Sequence, residues 1–174
     1  IAPAMTVGQF AEIAVMAILG MFIARFGFRR TIAIGAFAYF ARYLIWGLIS
    51  LQEPSGPSVD VSGQFIWTVP LVIGIFSQLL HGVCYACFFA SAYMYVDKIA
   101  DDDIRNSAQT VFGIIILGLG PMLAAPLLGF LANIFGEAGV VTDFAGMWLS
   151  LAAIAFITSA VFFVAFTEEA ESSI

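Results

Sequence analysis

Three ionisable side chains stand inside long apolar runs of this sequence: Glu12, Arg42 and His81. Charged groups are costly in hydrocarbon, so such residues mark sites or paired structural charges by default. Glu12 has Gln9 three residues before it, and that spacing places both side chains on one helical face. A carboxylate beside an amide can accept and donate hydrogen bonds to a polyhydroxyl ligand. A desolvated carboxyl can also carry a proton. Arg42 lies near the middle of its run, flanked by Tyr39 and Tyr43. Isolated there it would cost at least about 2.5–3.5 kcal/mol, so it must face protein or water. An ion pair with Glu12 is one reading of it and a solute contact is the other. His81 begins a face that continues through Tyr85, Phe88 and Ala92, with Gln78 one turn before it. A face of rings suits stacking on a flat heterocycle, whereas a packed histidine bonded to a backbone carbonyl is the structural alternative.

Other chemistry lacks the necessary spacing. His81, Cys84 and Cys87 fall at i, i+3 and i+6. Six helical residues turn through about 600°, leaving the outer two roughly 120° apart. They are therefore not read as a metal site, and no cofactor is expected. There is no His-Glu-x-x-His, no phosphate-binding glycine loop and no Gly-x-Ser-x-Gly. The sequence carries no enzyme motif.

The elements that position these residues are membrane helices. Of 174 residues, 62% are apolar and 10% charged, with a mean hydropathy of +1.04. Soluble domains are about 45–50% apolar and about 25% charged. The net charge of −6 comes mostly from acids in loops and tail, and no basic cluster offers a nucleic-acid surface. Five apolar segments, about 6–26, 32–51, 65–96, 107–134 and 144–167, are read as five transmembrane helices of one all-α integral membrane domain covering 1–174. A five-span path puts Arg25, Arg29, Arg30, Lys98 and Arg105 on one side, while the links at 52–64 and 135–143 hold no Lys or Arg. By the positive-inside rule the C-terminal tail is then cytoplasmic and the N-terminus outside. The fourth segment carries Gly113, Gly118, Gly120 and Gly129 with Pro121 and Pro126, a composition for close helix packing or for a hinge. The chain opens at Ile1 without an initiator Met, and a fragment of a longer protein is expected.

Gly20-Met-Phe-Ile-Ala-Arg25-Phe-Gly27-Phe-Arg29-Arg30 resembles the loop signature of the major facilitator superfamily, Gly-x-x-x-Asp-Arg-x-Gly-Arg-Arg, in the degraded form of its C-terminal copy. Gln9-Phe-Ala-Glu12, Leu80-His81-Gly82-Val-Cys-Tyr85 and Asp103-Ile-Arg105-Asn-Ser-Ala-Gln109, with Arg42, resemble the nucleoside:proton symporter family. This resemblance implies a partial C-terminal half of a major facilitator fold, helices eight to twelve, in the cell (inner) membrane. It implies proton-coupled transport of a nucleoside or similar polyhydroxylated solute by alternating access, with Gln9, Glu12, His81 and Tyr85 at the site. Glu12 would be the proton-coupling candidate. The implied partners are the solute, protons, the bilayer and the missing N-terminal helices. Characterised members have a tyrosine at the position of His81. A sugar:proton symporter of the same superfamily, or a nontransporting membrane sensor or assembly subunit, are the alternatives.

Overall fold

The computed structural model describes residues 2–52, 69–137 and 140–167. The loop at 53–68 and the tail beyond 167 lie outside the described residues. Apolar, small and aromatic residues without long polar breaks give helices that satisfy their own backbone, as the bilayer requires. Among the described residues four helices are long and apolar enough to cross a membrane, by length and composition. They are α1 (Ala2–Gln52), α2 (Val69–Ile99), α3 (Arg105–Ile134) and α4 (Phe144–Ala165).

α1 is two arms. At Gly27 the backbone takes φ 75° and ψ 170°, a region that only glycine enters without strain. The Thr31 hydroxyl, fully buried, donates to the Gly27 carbonyl at 2.7 Å. The arms double back on each other. A straight helix would hold residues 12 and 42 about 45 Å apart, yet the backbone at Glu12 packs against Gly82 and Arg42 bonds His81. The sequence read 25–30 as a loop between two spans. In the structure the connection is one non-helical residue, because a single glycine supplies the whole turn.

Glycines set the helix crossings, as small residues do where lipid offers no hydrophobic drive between helices. A Cβ on Gly35 would stand 2.4 Å from the nitrogen of Phe88, so the second arm meets α2 backbone to backbone. Gly74 of α2 accommodates the Trp46 ring, and Gly47 accommodates Leu149 of α4. The buried core here is correspondingly small: Thr31, Cys84, Ala86, Cys87 and Ser91 are almost wholly covered. Phe37 and Phe40 meet Phe156 of α4, with ring centroids 6.1 and 5.1 Å apart.

At one end of the bundle the Gly27 reversal, the end of α2 and the end of α4 converge. Phe28 packs on Tyr95 at 5.4 Å and lies under the Lys98 ammonium. Arg29 donates from Nε and Nη2 to the Phe163 carbonyl at 3.2 and 2.5 Å, supplying a cation and donors where a helix end leaves its carbonyls unpaired. The turn from α2 to α3 belongs to the same end. There Asp97 accepts from Gln109 at 2.7 Å, while Arg105 lies 3.8 Å from Asp97 and 2.5 Å from Asp102.

α2 and α3 each contain a π-helical turn, Cys84–Ala90 and Ile115–Leu119. α3 also holds Pro126 in its interior. It is anchored near its start by Tyr93 against Phe112, centroids 4.9 Å apart. Beyond its far end lies a short antiparallel hairpin, β1 (Gly136–Glu137) and β2 (Val140–Val141). Between these anchors every residue of 117–130 is exposed. α4 then starts on Asp143, whose carboxylate accepts from the Gly146 amide at 2.8 Å, a side-chain N-cap.

Candidate functional site

The three ionisable residues of the spans come together through glycine contacts. Gly82 follows His81, and a Cβ there would lie 2.4 Å from both the Ala11 carbonyl carbon and the Glu12 nitrogen. Gly8, one turn before Glu12, packs on the Gln78 carbonyl and on Cβ and Cδ2 of His81. The first arm and α2 therefore touch at the level of Glu12 and His81. Arg42 reaches the same level from the second arm.

The guanidinium of Arg42 makes two hydrogen bonds to α2. Nη1 lies 3.1 Å from Nδ1 of His81, and Nη2 donates to Oε1 of Gln78 at 3.0 Å. Gln78 stands at a tightened turn of α2, its backbone N–H donating to the Ile75 carbonyl at 3.0 Å. The buried Nε of Arg42 has no hydrogen-bond partner among the described residues. Among those residues Glu12 and Arg42 form no ion pair; Arg42 instead takes the neutral acceptors Gln78 and His81. The sequence reading of Arg42 did not include this network. Its signal was present in the three-residue spacing of Gln78 and His81, but the acceptor face acquires meaning only once the fold-back at Gly27 brings Arg42 alongside it.

The other predicted site residues flank this cluster. Glu12 is partly exposed, and its backbone nitrogen lies at the Gly82 crossing, one residue from His81 on α2. Gln9 stands one turn earlier on the first arm, exposed. Tyr85 lies one turn beyond His81, 41% exposed, with its ring 5.7 Å from Phe89. Neither Gln9 nor Tyr85 bonds to the arginine network. The π turn begins at Cys84, so the helix widens where Tyr85 projects, a form often found at functional sites. Cys84 and Cys87 are buried free thiols. Among the described residues no group of three or more His, Cys, Asp or Glu can hold a metal ion.

Arg42 also borders a cavity of about 530 Å³ between the second arm, α3 and α4. Tyr43, Trp46 and Trp148 form its aromatic wall, with Tyr43 stacked on Trp148 at 5.9 Å. Arg42 thus lies between this flank and the Glu12–His81 crossing.

These helices, broken at Gly27 and widened by π turns around intramembrane polar residues, make the chain a multi-pass all-α membrane protein. Two crystal structures of the nucleoside transporter NupG share the fold, with TM-scores of 0.74 and 0.73 at 21% and 20% identity. They cover 94% and 95% of this chain and 37% of each transporter chain. The chain belongs to the nucleoside H+ symporter family, whose model matches residues 2–171. It is similar to the Escherichia coli (strain K12) protein YegT, whose name describes a nucleoside transporter, with 32% identity over 98% of this chain and 38% of that protein. It is also similar to the xanthosine permease and the nucleoside permease NupG of the same organism, at 25% and 24% identity over 93% of this chain and 35% of each. The chain therefore spans between 35% and 38% of the length of these relatives.

Proposed function

We propose that this chain forms part of the C-terminal half of a secondary transporter that moves a nucleoside with protons by alternating access. The observation that carries this reading is the glycine crossing of two membrane helices, where the Glu12 backbone meets Gly82 and His81 meets Gly8. Family membership and three relatives named for nucleoside transport support it. Transporter sites of this kind lie near the bilayer midplane, where broken helices line a polar cavity.

Gln9, Glu12, His81 and Tyr85 form this chain's share of the solute site. Glu12 and Gln9 offer an acceptor and a mixed donor–acceptor for ribose hydroxyls, and Tyr85 offers a ring face to the base. Glu12 is the proton carrier: its protonated form binds the solute, so that solute binding and proton binding favour one another, as moving both together requires. Arg42 serves in the supporting network. The basic end of the bundle, with the C-terminal tail, faces the cytoplasm of a cell inner membrane.

Uptake of labelled uridine by the full-length protein in sealed vesicles tests this reading. Glu12→Gln should abolish uphill accumulation driven by a proton gradient while leaving exchange of external for internal uridine. Unchanged accumulation in that variant would remove Glu12 from the coupling role. Loss of binding itself would make Glu12 a ligand contact instead.

A further inference from the structure

Arginine has five N–H donors and no acceptor. The 3.1 Å contact between Nη1 of Arg42 and Nδ1 of His81 therefore assigns the ring chemically: Nδ1 must supply its lone pair. A neutral imidazole with Nδ1 as acceptor carries its proton on Nε2. An imidazolium would set a donor against a donor and a cation against a cation. The arrangement is held from both sides. Arg42 is fixed by its second bond to Gln78, and the Cδ2 edge of the ring rests against Gly8 of the first arm. With Nδ1 and Cδ2 both occupied, the Nε2 tip is left without a hydrogen bond among the described residues, and His81 is only partly covered. Beside it, across the Gly82 contact, stands Glu12.

We propose that Arg42 is a positioning residue that locks His81 in its neutral Nε2–H tautomer, so that His81 offers the solute a hydrogen-bond donor. This rests on the transport reading above and adds a selection rule to it. The crossing then holds an acceptor, a Glu12 carboxyl oxygen, and a fixed donor, Nε2–H, on neighbouring helices. It favours a solute that presents an acceptor to α2, such as a base carbonyl or ring nitrogen, and a hydroxyl donor to the first arm. It disfavours solutes with only donors, or a cation, facing α2. A tyrosine at position 81 could turn its hydroxyl to donate or accept, whereas the locked ring only donates there.

The ring state can be read without transport. His81 is the single histidine of this chain. In full-length protein labelled with ¹⁵N-histidine in lipid nanodiscs, its signals are assigned by difference against His81→Gln. The expected wild-type spectrum at neutral pH has a protonated Nε2 and an unprotonated Nδ1. Arg42→Met should release the ring into a mixture of tautomers, and Arg42→Lys, which keeps a donor-only group, should restore the Nε2–H form. Uridine binding to the same samples gives the second arm. Arg42→Met should weaken it roughly tenfold, the loss of about one hydrogen bond, and Arg42→Lys should recover most of this. His81→Gln, whose amide N–H can stand near the position of Nε2, should bind more tightly than His81→Asn. A protonated Nδ1 in the wild type, or Arg42→Met with folded protein and unchanged uridine affinity, would overturn the proposal. A wild-type ring in the Nε2–H form in protein that binds no nucleoside would overturn the transport reading instead, which separates the two failures.

Discussion

A Cβ on Gly82 would stand 2.4 Å from the backbone nitrogen of Glu12, so α2 and the first arm of α1 approach as closely as two helices can at the point where their ionisable residues lie. That approach fixes the separation of the Glu12 and His81 backbones, leaving their side chains to set the width of the site.

Enlarging this contact should separate the helices. Gly82→Ala is expected to lower stability by about 1–3 kcal/mol, the usual cost of overpacking, because backbone rather than a flexible side chain opposes the new methyl. Gly20→Ala on the same arm meets nothing within 4 Å and should be neutral or slightly stabilising. Thermal unfolding of the two variants in detergent compares them directly. An equal effect would contradict the close approach.

The reversal at Gly27 makes a second, conformational demand. With φ 75° and ψ 170°, Gly27→Ala is expected to cost about 1–3 kcal/mol. Gly129→Ala on α3, with no atom within 4 Å and no positive φ, provides the reference. A Gly27→Ala protein as stable as that reference would mean that the turn can form another way.

Asp97 ties α2 to α3 by accepting from Gln109 and facing Arg105. The Asp97 and Arg105 side chains are about half exposed, so solvent screens the pair and Asp97→Ala should cost only about 0.2–1 kcal/mol globally. Its local effect should be larger: hydrogen exchange at the amides of Ala100 and Ile104, which close the turn, should quicken. Unchanged exchange there would show that backbone bonds alone hold the turn.

Sidedness can be tested with cysteines at the two ends of the bundle. Cys84 and Cys87 are buried, so an impermeant thiol reagent should report on introduced residues. With the basic end cytoplasmic, Glu137→Cys should react from outside intact cells and Asp102→Cys only after permeabilisation. The opposite pattern would invert the orientation.

What the sequence made legible follows from how local each cause is. Membrane helices are written in composition, and the start of α4 is written in Asp143, which caps it from three residues away. The role of Gly27 was half-legible. Its neighbours Arg25, Arg29 and Arg30 marked an end of the bundle, but a charged stretch reads as a loop, whereas here the helix resumes at once. The pairing of Arg42 was not legible. Charge alone pointed to Glu12 as its partner, and only the fold-back of α1 makes Gln78 and His81 the nearer acceptors. The exposure of residues 117–130 of α3 in this chain was equally hidden, since apolar residues facing lipid and apolar residues facing protein are chemically alike.

The turn at Gly27 also bears on how this region can move. Two antiparallel arms joined by one residue have no slack, so neither can slide along its axis without carrying the other. The Thr31 hydroxyl ties the start of the second arm to the turn itself, and both arms are keyed into α2 by glycines, Gly82 against the first and Gly35 of the second. A shift of either arm is therefore a shift of the pair, and a flexible insert between Phe26 and Phe28 would uncouple them.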